Sequence, residues 1–365
     1  MLENIIKKLK YTYVVVEEGS YEKILNLFDK NILYEPLTSN EFLYLGLYYK
    51  NRHEYNVSYD YFVKAYKLDN SKATYELGVF YDNIKKDYIK AKKYYIKASQ
   101  LGNVKAMNNL AILYKDIEKD YIKAKEYYIK ASELGSNNAM NNLGIFYKNI
   151  EKDYDKAKEC FIKAIELGNI YAINSLGVFY EIIEKNYVKA KEYYIKASEL
   201  GNVRAMNNLG IFYEIIEKDY DKAKEYYIKA TELVNVQAMH NLADLYLNIE
   251  KDYDKAMEYY KLTYSYGKHD SFDDIIMLYK KVGKIEEAII FGHDCKKKDK
   301  VFELLNELSY PVKDQYKEEI YKIVETFEFD GPVSMNITKI LQNAISVKYK
   351  TICQIAYHYK KYTLN

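Results

Sequence analysis

One alanine recurs every 33 residues through the middle of the sequence, and this period constrains the fold more than any other feature. The string Ala-Met-Asn-Asn-Leu begins at three of these alanines, Ala106, Ala139 and Ala205. A fixed period of this length is typical of stacked supersecondary units, each too small to bury its apolar residues alone. We number positions 1 to 33 from each alanine and name the copies repeat 1 to repeat 6. They begin at Ala73, Ala106, Ala139, Ala172, Ala205 and Ala238.

Two stripes of apolar residues divide each repeat into two predicted helices. Position 5 is always Leu, position 9 always Tyr and position 12 always Ile, which is the spacing of one helix face rather than of a strand. A second stripe has Tyr at position 16, Ala at position 19 and an aromatic residue at position 23. Each repeat is therefore predicted to be a hairpin of helix A and helix B. Large residues at positions 5, 9, 16 and 23 alternate with small ones at positions 1, 6, 19 and 26, which predicts tight helix crossings.

Residues that start and end helices stand at the predicted boundaries. Position 15 is Asp or Asn in all six repeats, and a short polar acceptor there can cap helix B. Position 30 is Gly in every repeat but one, as expected for a residue that ends a helix with positive φ. Repeat 5 has Val234 at this position. Because a β-branched side chain resists positive φ, we expect a differently built turn there.

The composition argues against several function classes. The 365 residues include 3 Pro, 14 Gly and no Trp, which favours long helices over a sandwich or barrel. With 55 basic and 53 acidic side chains the net charge is +2, so we expect no nucleic-acid partner. Three widely spaced cysteines favour a reducing compartment, and no metal, nucleotide or dinucleotide motif occurs. We therefore expect no catalytic residue, no cofactor and no metal site.

Hydropathy gives no reason to expect a membrane partner. The longest apolar stretch, residues 43–49, is far below the ~18 residues that span a bilayer. The first ten residues contain an early acid and no apolar run of signal-peptide length. We expect an intracellular, cytoplasmic protein.

A pair of motifs recurs in every repeat and carries a resemblance to a known family. In repeat 5 the motifs are Ala-Met-Asn-Asn-Leu-Gly-Ile-Phe-Tyr over residues 205–213 and Lys-Ala-Lys-Glu-Tyr-Tyr-Ile-Lys-Ala over residues 222–230. This pattern resembles the Sel1-like repeat, a branch of the tetratricopeptide-repeat superfamily. The resemblance implies an all-α, right-handed superhelical solenoid of antiparallel helix pairs, with helix A on the concave surface. The Lys-, Asn-, Ile- and Tyr-rich composition also resembles repeat proteins of giant DNA viruses. If the chain is virus-encoded, we expect the protein in the host cell cytoplasm.

The period also sets the predicted domain organisation. Residues 1–72 are predicted to be degenerate N-terminal repeats, and residues 73–270 form the six strict repeats. Residues 271–303 continue the rhythm as a further degenerate repeat. Residues 304–365 are predicted to be a helical C-terminal cap, since an end unit must cover an otherwise exposed apolar face.

Helix A carries the candidate partner-binding residues. Amide side chains at position 3 could bind a peptide backbone, or they could instead hydrogen-bond neighbouring repeats, and the sequence leaves both interpretations open. A second asparagine series at position 4 belongs to the family pattern and is interpreted as structural. Position 10 changes its charge from repeat to repeat. The candidates are Asn108, Asn141, Asn174, Asn207 and His240 at position 3, and Lys115, Lys148, Glu181 and Glu214 at position 10.

The pattern predicts a non-catalytic scaffold or adaptor for protein–protein interaction that binds a peptide or helix on its concave surface. Two alternatives stay open. An enzyme with a site in the C-terminal helical region would gather His293, Cys295 or His358 with a carboxylate in one pocket. An RNA-binding helical repeat would present a continuous positive concave face, and the change from Lys148 to Glu181 speaks against it.

Overall fold

The computed structural model describes residues 37–284 without a gap, and beyond them residues 287, 288, 291, 292, 295, 297 and 300. Fifteen α-helices and no strand lie in this part of the chain. The chain divides into two compact units, Met1–Asn202 and Val203–Asn365. The predicted repeat before residue 37 and the predicted cap at 304–365 lie outside the described residues.

The first compact unit contains ten helices within its described residues, arranged as consecutive hairpins. The first pair precedes repeat 1, and each later pair supplies helix A and helix B of one repeat. The helices are α1 (Ser39–Asn51), α2 (Tyr55–Tyr66), α3 (Ser71–Val79), α4 (Tyr88–Gln100), α5 (Val104–Leu113), α6 (Tyr121–Glu133), α7 (Asn137–Phe146), α8 (Tyr154–Glu166), α9 (Ile170–Ile182) and α10 (Tyr187–Glu199).

The second compact unit contains five helices within its described residues. They are α11 (Val203–Phe212), α12 (Tyr220–Glu232), α13 (Val236–Leu245), α14 (Tyr253–Ser265) and α15 (Ser271–Lys281). In both compact units each helix packs on the helices next to it in the chain, and helix A also contacts helix A of the next repeat, as α3 contacts α5 and α11 contacts α13. The prediction of an all-α solenoid of antiparallel helix pairs is confirmed. None of the helices in the described part combines the length and the apolar character needed to cross a membrane.

The core of each repeat is made by positions 1, 5 and 23. The aromatic residue at position 23 is at most 1% exposed in all six repeats, as Tyr128 and Phe161 illustrate. It packs against position 6, where four repeats have Gly, and an added Cβ at Gly177 would lie 2.7 Å from Cδ1 of Tyr194. The predicted tight crossing between positions 6 and 23 is therefore confirmed.

Two positions of the predicted apolar stripes lie at the edge of the core. The tyrosine at position 16 is the first residue of helix B; Tyr121 and Tyr187 are 40% exposed, and the ring of Tyr121 packs edge-on against Phe146 of the next repeat with centroids 6.3 Å apart. Isoleucine at position 12 lies at the end of helix A and is exposed in most repeats, as at Ile117. The helical spacing is correct at both positions, but the apolar stripes extend past the buried part of each helix.

The connection between helix A and helix B begins with a turn that is wider than an α-helical turn. In repeat 2 helix A ends in a π-helical turn, Tyr114–Glu118, and Lys119 follows with a φ of 56°. The N–H of Asp120 then donates to the Tyr114 carbonyl at 2.9 Å. The side chain of Asp120 accepts from the N–H of Lys123 at 3.1 Å, and position 15 makes the equivalent bond in every repeat. The predicted caps of helix B are confirmed.

The turn that leads to the next repeat corrects the expectation for repeat 5. Val234 has a φ of 60°, so it adopts the left-handed conformation that the glycines of the other repeats adopt. Its N–H donates to Thr231 at 2.9 Å and the N–H of Asn235 donates to Ala230 at 3.0 Å, the bonds that Gly201 starts in repeat 4. The predicted different turn is wrong because both flanking helices fix the backbone, and the valine takes the strained φ instead.

A lysine at position 20 connects each repeat to the next one within a compact unit. Lys125 Nζ lies 2.8 Å from Glu151 Oε1 and 5.2 Å from the centroid of the Tyr147 ring, both in the following repeat. Lys92, Lys158 and Lys224 make the same two contacts with the repeats that follow them. Identical residues therefore meet at successive interfaces.

Candidate functional site

The position 3 asparagines lie where neighbouring helices A meet. Asn141, Asn174 and Asn207 are each less than a tenth exposed. Position 4 of the next repeat reaches back to them: Asn142 Nδ2 donates to Asn108 Oδ1 at 2.9 Å, and Asn241 Nδ2 donates to Asn207 Oδ1 at 3.0 Å. At these two joints the amides link repeats, as the second interpretation of the sequence holds. Whether any of them also binds a ligand stays a prediction.

His240 takes the place of asparagine at position 3 of repeat 6. Its Nε2 lies 2.9 Å from Asp274 Oδ2 on α15, and its Nδ1 lies 3.2 Å from Asp244 Oδ2 on its own helix. The hydrogen bond with Asp244 raises the pKa of His240, burial lowers it, and Asp274 raises it further, so that the pKa is raised overall. This residue also joins one repeat to the next.

The acidic residues at position 10 are hydrogen-bonded by the buried tyrosine at position 23. In repeat 4, Tyr194 OH donates to Glu181 Oε2 at 2.5 Å, and in repeat 5, Tyr227 OH donates to Glu214 Oε2 at 2.6 Å. Repeat 1 has the same pair, formed by Tyr95 and Asp82. Burial, and then the hydrogen bond to Glu181, raise the pKa of Tyr194, so the phenol stays protonated. Each of these carboxylates both faces solvent and completes a buried hydrogen bond.

Repeat 6 keeps the same bond with a different acid. Position 10 is Leu247, which is buried and has no polar atom. The hydroxyl of Tyr260 donates instead to Asp244, at position 7 of the same helix. Four of the six repeats therefore pair the position 23 hydroxyl with a carboxylate of helix A.

The lysines at position 10 leave the equivalent place without an acceptor. Repeat 2 combines Lys115 with Tyr128, whose hydroxyl is buried and has no hydrogen-bond partner among the described residues. Repeat 3 combines Lys148 with Phe161, which has no hydroxyl. Burial, and then the charge of Lys152, lower the pKa of Lys148, and no carboxylate in the described part lies within ion-pair distance of its Nζ. Lys115 Nζ has only Asp116 nearby, at 3.4 Å and more than half exposed.

A second buried polar atom lacks a partner in the same two repeats. Asn141 Oδ1 accepts no hydrogen bond from any described residue. Its expected donor at position 4 of repeat 4 is Ser175 instead of asparagine, and that hydroxyl donates to the Tyr171 carbonyl at 3.1 Å. We call Lys115, Tyr128, Asn141 and Lys148 the lysine cluster. It offers two ammonium groups, one hydroxyl donor and one amide acceptor, which suits a ligand with both a negative group and an N–H.

Sequence reasoning named three of these four residues and missed Tyr128, because tyrosine occupies position 23 in five repeats. The available signal was the pairing of positions 10 and 23: Tyr occurs with an acid at position 10 in repeats 1, 4 and 5, whereas repeats 2 and 3 have Lys there and no acid at position 7. It also missed Asp274, which contacts His240.

Chemistry other than binding has little support within the described residues. No group of three His, Cys, Asp or Glu side chains there could hold a metal ion. Cys160 is buried, and burial raises the pKa of its thiol to about 11, so it stays protonated and unreactive at neutral pH. Of the C-terminal residues considered for catalysis, Cys295 is described, whereas His293 and His358 lie outside the described part of the chain.

Stacked two-helix repeats with varied polar side chains on helix A define the class of tetratricopeptide-like α-solenoid repeat proteins. The Sel1 repeat profile matches the chain over more than half of its length. The matched residues are 71–103, 104–136, 137–169, 170–202, 203–235 and 236–265. The chain belongs to the Sel1 repeat family, which confirms the resemblance found in the sequence. Each matched segment begins two residues before position 1, at the start of helix A.

Several solved structures are similar to this chain. A Sel1 repeat protein from Oxalobacter formigenes is 25% identical over 60% of this chain and 98% of its own, with a TM-score of 0.49. Yeast Tom70 is 19% identical over 84% of this chain and 72% of its own, with a TM-score of 0.53, which shows the fold alone. A human IFIT1 dimer with PPP-AAAA is 19% identical over 74% of this chain and 66% of its own, with a TM-score of 0.49. No curated protein sequence matches the chain.

Membership of the family carries a general function. Sel1 repeat proteins generally mediate protein–protein interactions and generally act as scaffolds without enzymatic activity. The described surface of helix A is compatible with that role.

Proposed function

We propose that this chain is a non-catalytic adaptor that binds an extended peptide or a helix of a partner protein. The contact surface is the helix-A surface, made by positions 3, 7 and 10 of repeats 1 to 4. Position 7 supplies an aliphatic side chain that is half-buried in each of these repeats, namely Val79, Ile112, Ile145 and Val178. Such a surface offers apolar contact beside charged groups, which suits a partner segment with side chains of both kinds.

One observation carries the proposal. Position 10 is half-buried in repeats 1 to 4 and reads Asp82, Lys115, Lys148 and Glu181, whereas the core positions 1, 5 and 9 do not change. A residue that served only the stack would be as uniform as the core. A charge that changes sign while the core stays constant is expected where each repeat contacts a different part of a partner.

The same charges support a protein partner over RNA. A nucleic acid needs a positive track that follows its backbone, and its affinity rises with each phosphate that is neutralised. The two lysines of this surface are bracketed by Asp82 and Glu181, which would repel phosphates on both sides. The proposal therefore includes no nucleic-acid partner. It also includes no membrane partner, and it places the chain inside the cell.

The test is quantitative affinity capture with the full chain as bait. Two charge-reversal variants, Lys148→Glu and Glu181→Lys, change the helix-A surface. The control variant, Lys130→Glu, reverses an exposed charge on helix B that pairs with Glu126 and lies over the Tyr127 ring. We expect the captured proteins to be depleted by the first two variants and retained by the control.

Two outcomes would contradict the proposal. If all three variants captured the same proteins, the partner would bind elsewhere. If nuclease treatment of the extract removed the captured material, an RNA-binding repeat would be the better description.

A further inference from the structure

The lysine cluster is the one part of the helix-A surface where the repeat does not satisfy its own polar groups. In repeats 1 and 4 the position 10 carboxylate accepts from the buried tyrosine. In repeat 2 the hydroxyl of Tyr128 has no such acceptor, although this tyrosine is 1% exposed. A buried donor left without an acceptor costs free energy that a bound ligand can recover.

The charges around the cluster specify the sign of the missing group. Lys148 is half-buried, has no ion-pair partner among residues 37–284, and has its pKa lowered by burial. A negative ligand would relieve that penalty, because an opposite charge favours the ammonium form. A carboxylate from a partner would also complete in repeat 2 the contact that Glu181 makes in repeat 4.

We infer that the lysine cluster binds acidic side chains of an extended partner peptide, with Lys115 and Lys148 each binding one carboxylate. This inference rests on the proposed function, and it names the chemistry of the partner. Tyr128 OH and Asn141 Oδ1 are buried in the unbound chain, so the side chains that cover them move on binding. Tyr128 then donates to the carboxylate at Lys115, and Asn141 Oδ1 accepts an N–H from the peptide backbone. Asp82 and Glu181 favour basic or neutral residues on either side of the acidic pair.

The acceptor at Asn141 distinguishes a peptide from a phosphate. Its Oδ1 atom is buried without a donor, and its lone pairs would face the oxygens of a phosphate. A peptide supplies an N–H at every residue except proline, so it can bind both lysines and this amide in one extended conformation. The cluster also spans two repeats only, which is too short a positive surface for a polyanion.

The first experiment selects ligands without assuming their sequence. A display library of random linear peptides is selected on the full chain and, in parallel, on the double variant Lys115→Glu, Lys148→Glu. We expect peptides with two nearby Asp or Glu residues to be enriched on the wild-type chain and absent from the variant's output. A parallel binding assay uses a short single-stranded oligoribonucleotide and inorganic polyphosphate.

The outcomes separate this inference from the proposed function. Enriched peptides without paired acids, or equal enrichment on the double variant, would overturn the inference and leave peptide binding intact. No enrichment on the wild-type chain would overturn both. Lysine-dependent binding of the oligoribonucleotide or polyphosphate, tighter than that of any selected peptide, would assign the cluster to phosphate and overturn the inference.

A second measurement places the acids on the cluster. For a selected peptide, replacing its acids by the matching amides should weaken binding to the wild-type chain by roughly tenfold per residue. The same replacement should have no further effect on the double variant Lys115→Ala, Lys148→Ala. If the amide replacement weakened binding to that double variant as much as binding to the wild-type chain, the acids would bind elsewhere, which would contradict the inference.

Tyr128 offers a test that a purely structural role would fail. Tyr128→Phe should weaken peptide binding roughly fivefold, because one hydrogen bond to a carboxylate is lost. It should not lower the free energy of unfolding, because the hydroxyl has no partner in the unbound chain. The matched control is Tyr227→Phe in repeat 5, outside the helix-A surface, which should lower stability through Glu214 and leave affinity unchanged. Unchanged affinity in Tyr128→Phe would remove this hydroxyl from the site.

Discussion

Repeats 2 and 4 have the same helical hairpin and nearly the same core, yet they treat one buried hydroxyl in opposite ways. Repeat 4 pairs Tyr194 with Glu181, whereas repeat 2 has Lys115 at position 10 and leaves the hydroxyl of Tyr128 without a partner among the described residues. The difference comes from one side chain at position 10. The apolar core of a repeat can therefore be fully packed while one of its buried polar groups lacks a hydrogen-bond partner. A ligand that supplies this partner gains the most binding free energy at such a repeat.

The two repeats also differ at position 6, and this residue sets how closely the ring approaches helix A. The repeats whose tyrosine reaches an acid at position 10 have Gly at position 6, as at Gly177. Repeat 2 has Ala111 there, and repeat 6, where Tyr260 bonds to position 7, has Ala243. In repeat 3 an added Cβ at Gly144 would also lie 2.7 Å from the ring of Phe161, which has no hydroxyl, so the glycine and not the carboxylate allows the close approach.

The largest effect should come from replacing the glycine at position 6 of repeat 4. Gly177→Ala would place a Cβ 2.7 Å from Cδ1 of Tyr194, so the ring must move and strain its bond to Glu181. We expect a loss of about 3 kcal/mol in the free energy of unfolding, measured by chemical denaturation. The control, Ala111→Gly, should cost about 1 kcal/mol through backbone entropy alone. Equal losses in the two variants would refute the requirement for glycine where the ring approaches helix A.

Removing the acceptor of repeat 4 should have the next largest effect. Glu181→Ala leaves Tyr194 with a buried unpaired hydroxyl, as in repeat 2, and should cost about 2 kcal/mol. Adding Tyr194→Phe should restore part of that loss, since the orphan hydroxyl is then absent. The two single variants and the double variant form a cycle, and strictly additive losses would show that the bond contributes nothing.

The converse exchange should stabilise repeat 2. In an Ala111→Gly background, which gives the ring the room that it has in repeat 4, Lys115→Glu supplies Tyr128 with the acceptor that it lacks, and we expect a gain of about 1 kcal/mol in the free energy of unfolding over Ala111→Gly alone. Lys115→Ala in the same background is the control, because it removes the lysine without supplying an acceptor. If both variants had the same stability, the hydroxyl would not govern this position.

The turn of repeat 5 offers a smaller test. Val234→Gly relieves a φ of 60° without removing a buried side chain, and we expect a gain of about 0.5 kcal/mol, seen as a higher melting temperature. Gly135→Val in repeat 2 is the matched reverse change; nothing lies within 4 Å of an added Cβ there, so any loss measures the backbone strain alone. A loss of stability in Val234→Gly would contradict this explanation.

The smallest effect concerns pH and the joint at His240. Its pKa is raised above 6.5, so the ion pairs with Asp244 and Asp274 stabilise the second compact unit fully below pH 6.5. This contribution should disappear as the pH rises through the raised pKa, and Lys268, which also faces the group, opposes protonation. Unfolding measured at several pH values should show this loss. His240→Asn should abolish the pH dependence, and a variant with the wild-type slope would exclude His240 as its origin.

Much of the fold could be predicted because the period places each residue type in one environment. The caps at position 15 and the crossing of Gly177 with Tyr194 followed from residue type and spacing. The exposed Tyr121 and Ile117 were harder, because periodicity gives the direction of a side chain and not the length over which a helix is covered. Val234 shows tertiary packing overriding a local preference.

The candidate site was less predictable, for a physical reason. Hydrogen bonds between neighbouring repeats connect residues that the sequence separates by a whole period, such as Asn108 and Asn142. The sequence identifies the amide and charged side chains, but it does not show which of them have hydrogen-bond partners. That decision depends on exceptions such as Ser175, whose hydroxyl bonds to its own helix and leaves Asn141 without a donor.

The lysine at position 20 has a consequence for the length of the chain. Lys125 contacts Glu151 and Tyr147, and Lys92 contacts their counterparts one period earlier. Helix B of a repeat with this lysine can therefore make the same contacts with helix A of different repeats within a compact unit. If a gene lost or duplicated one whole 33-residue period inside such a run, the same contact residues would come together at the new junction. The number of modules is then free to drift, while the order of charges along helix A records which copies were kept.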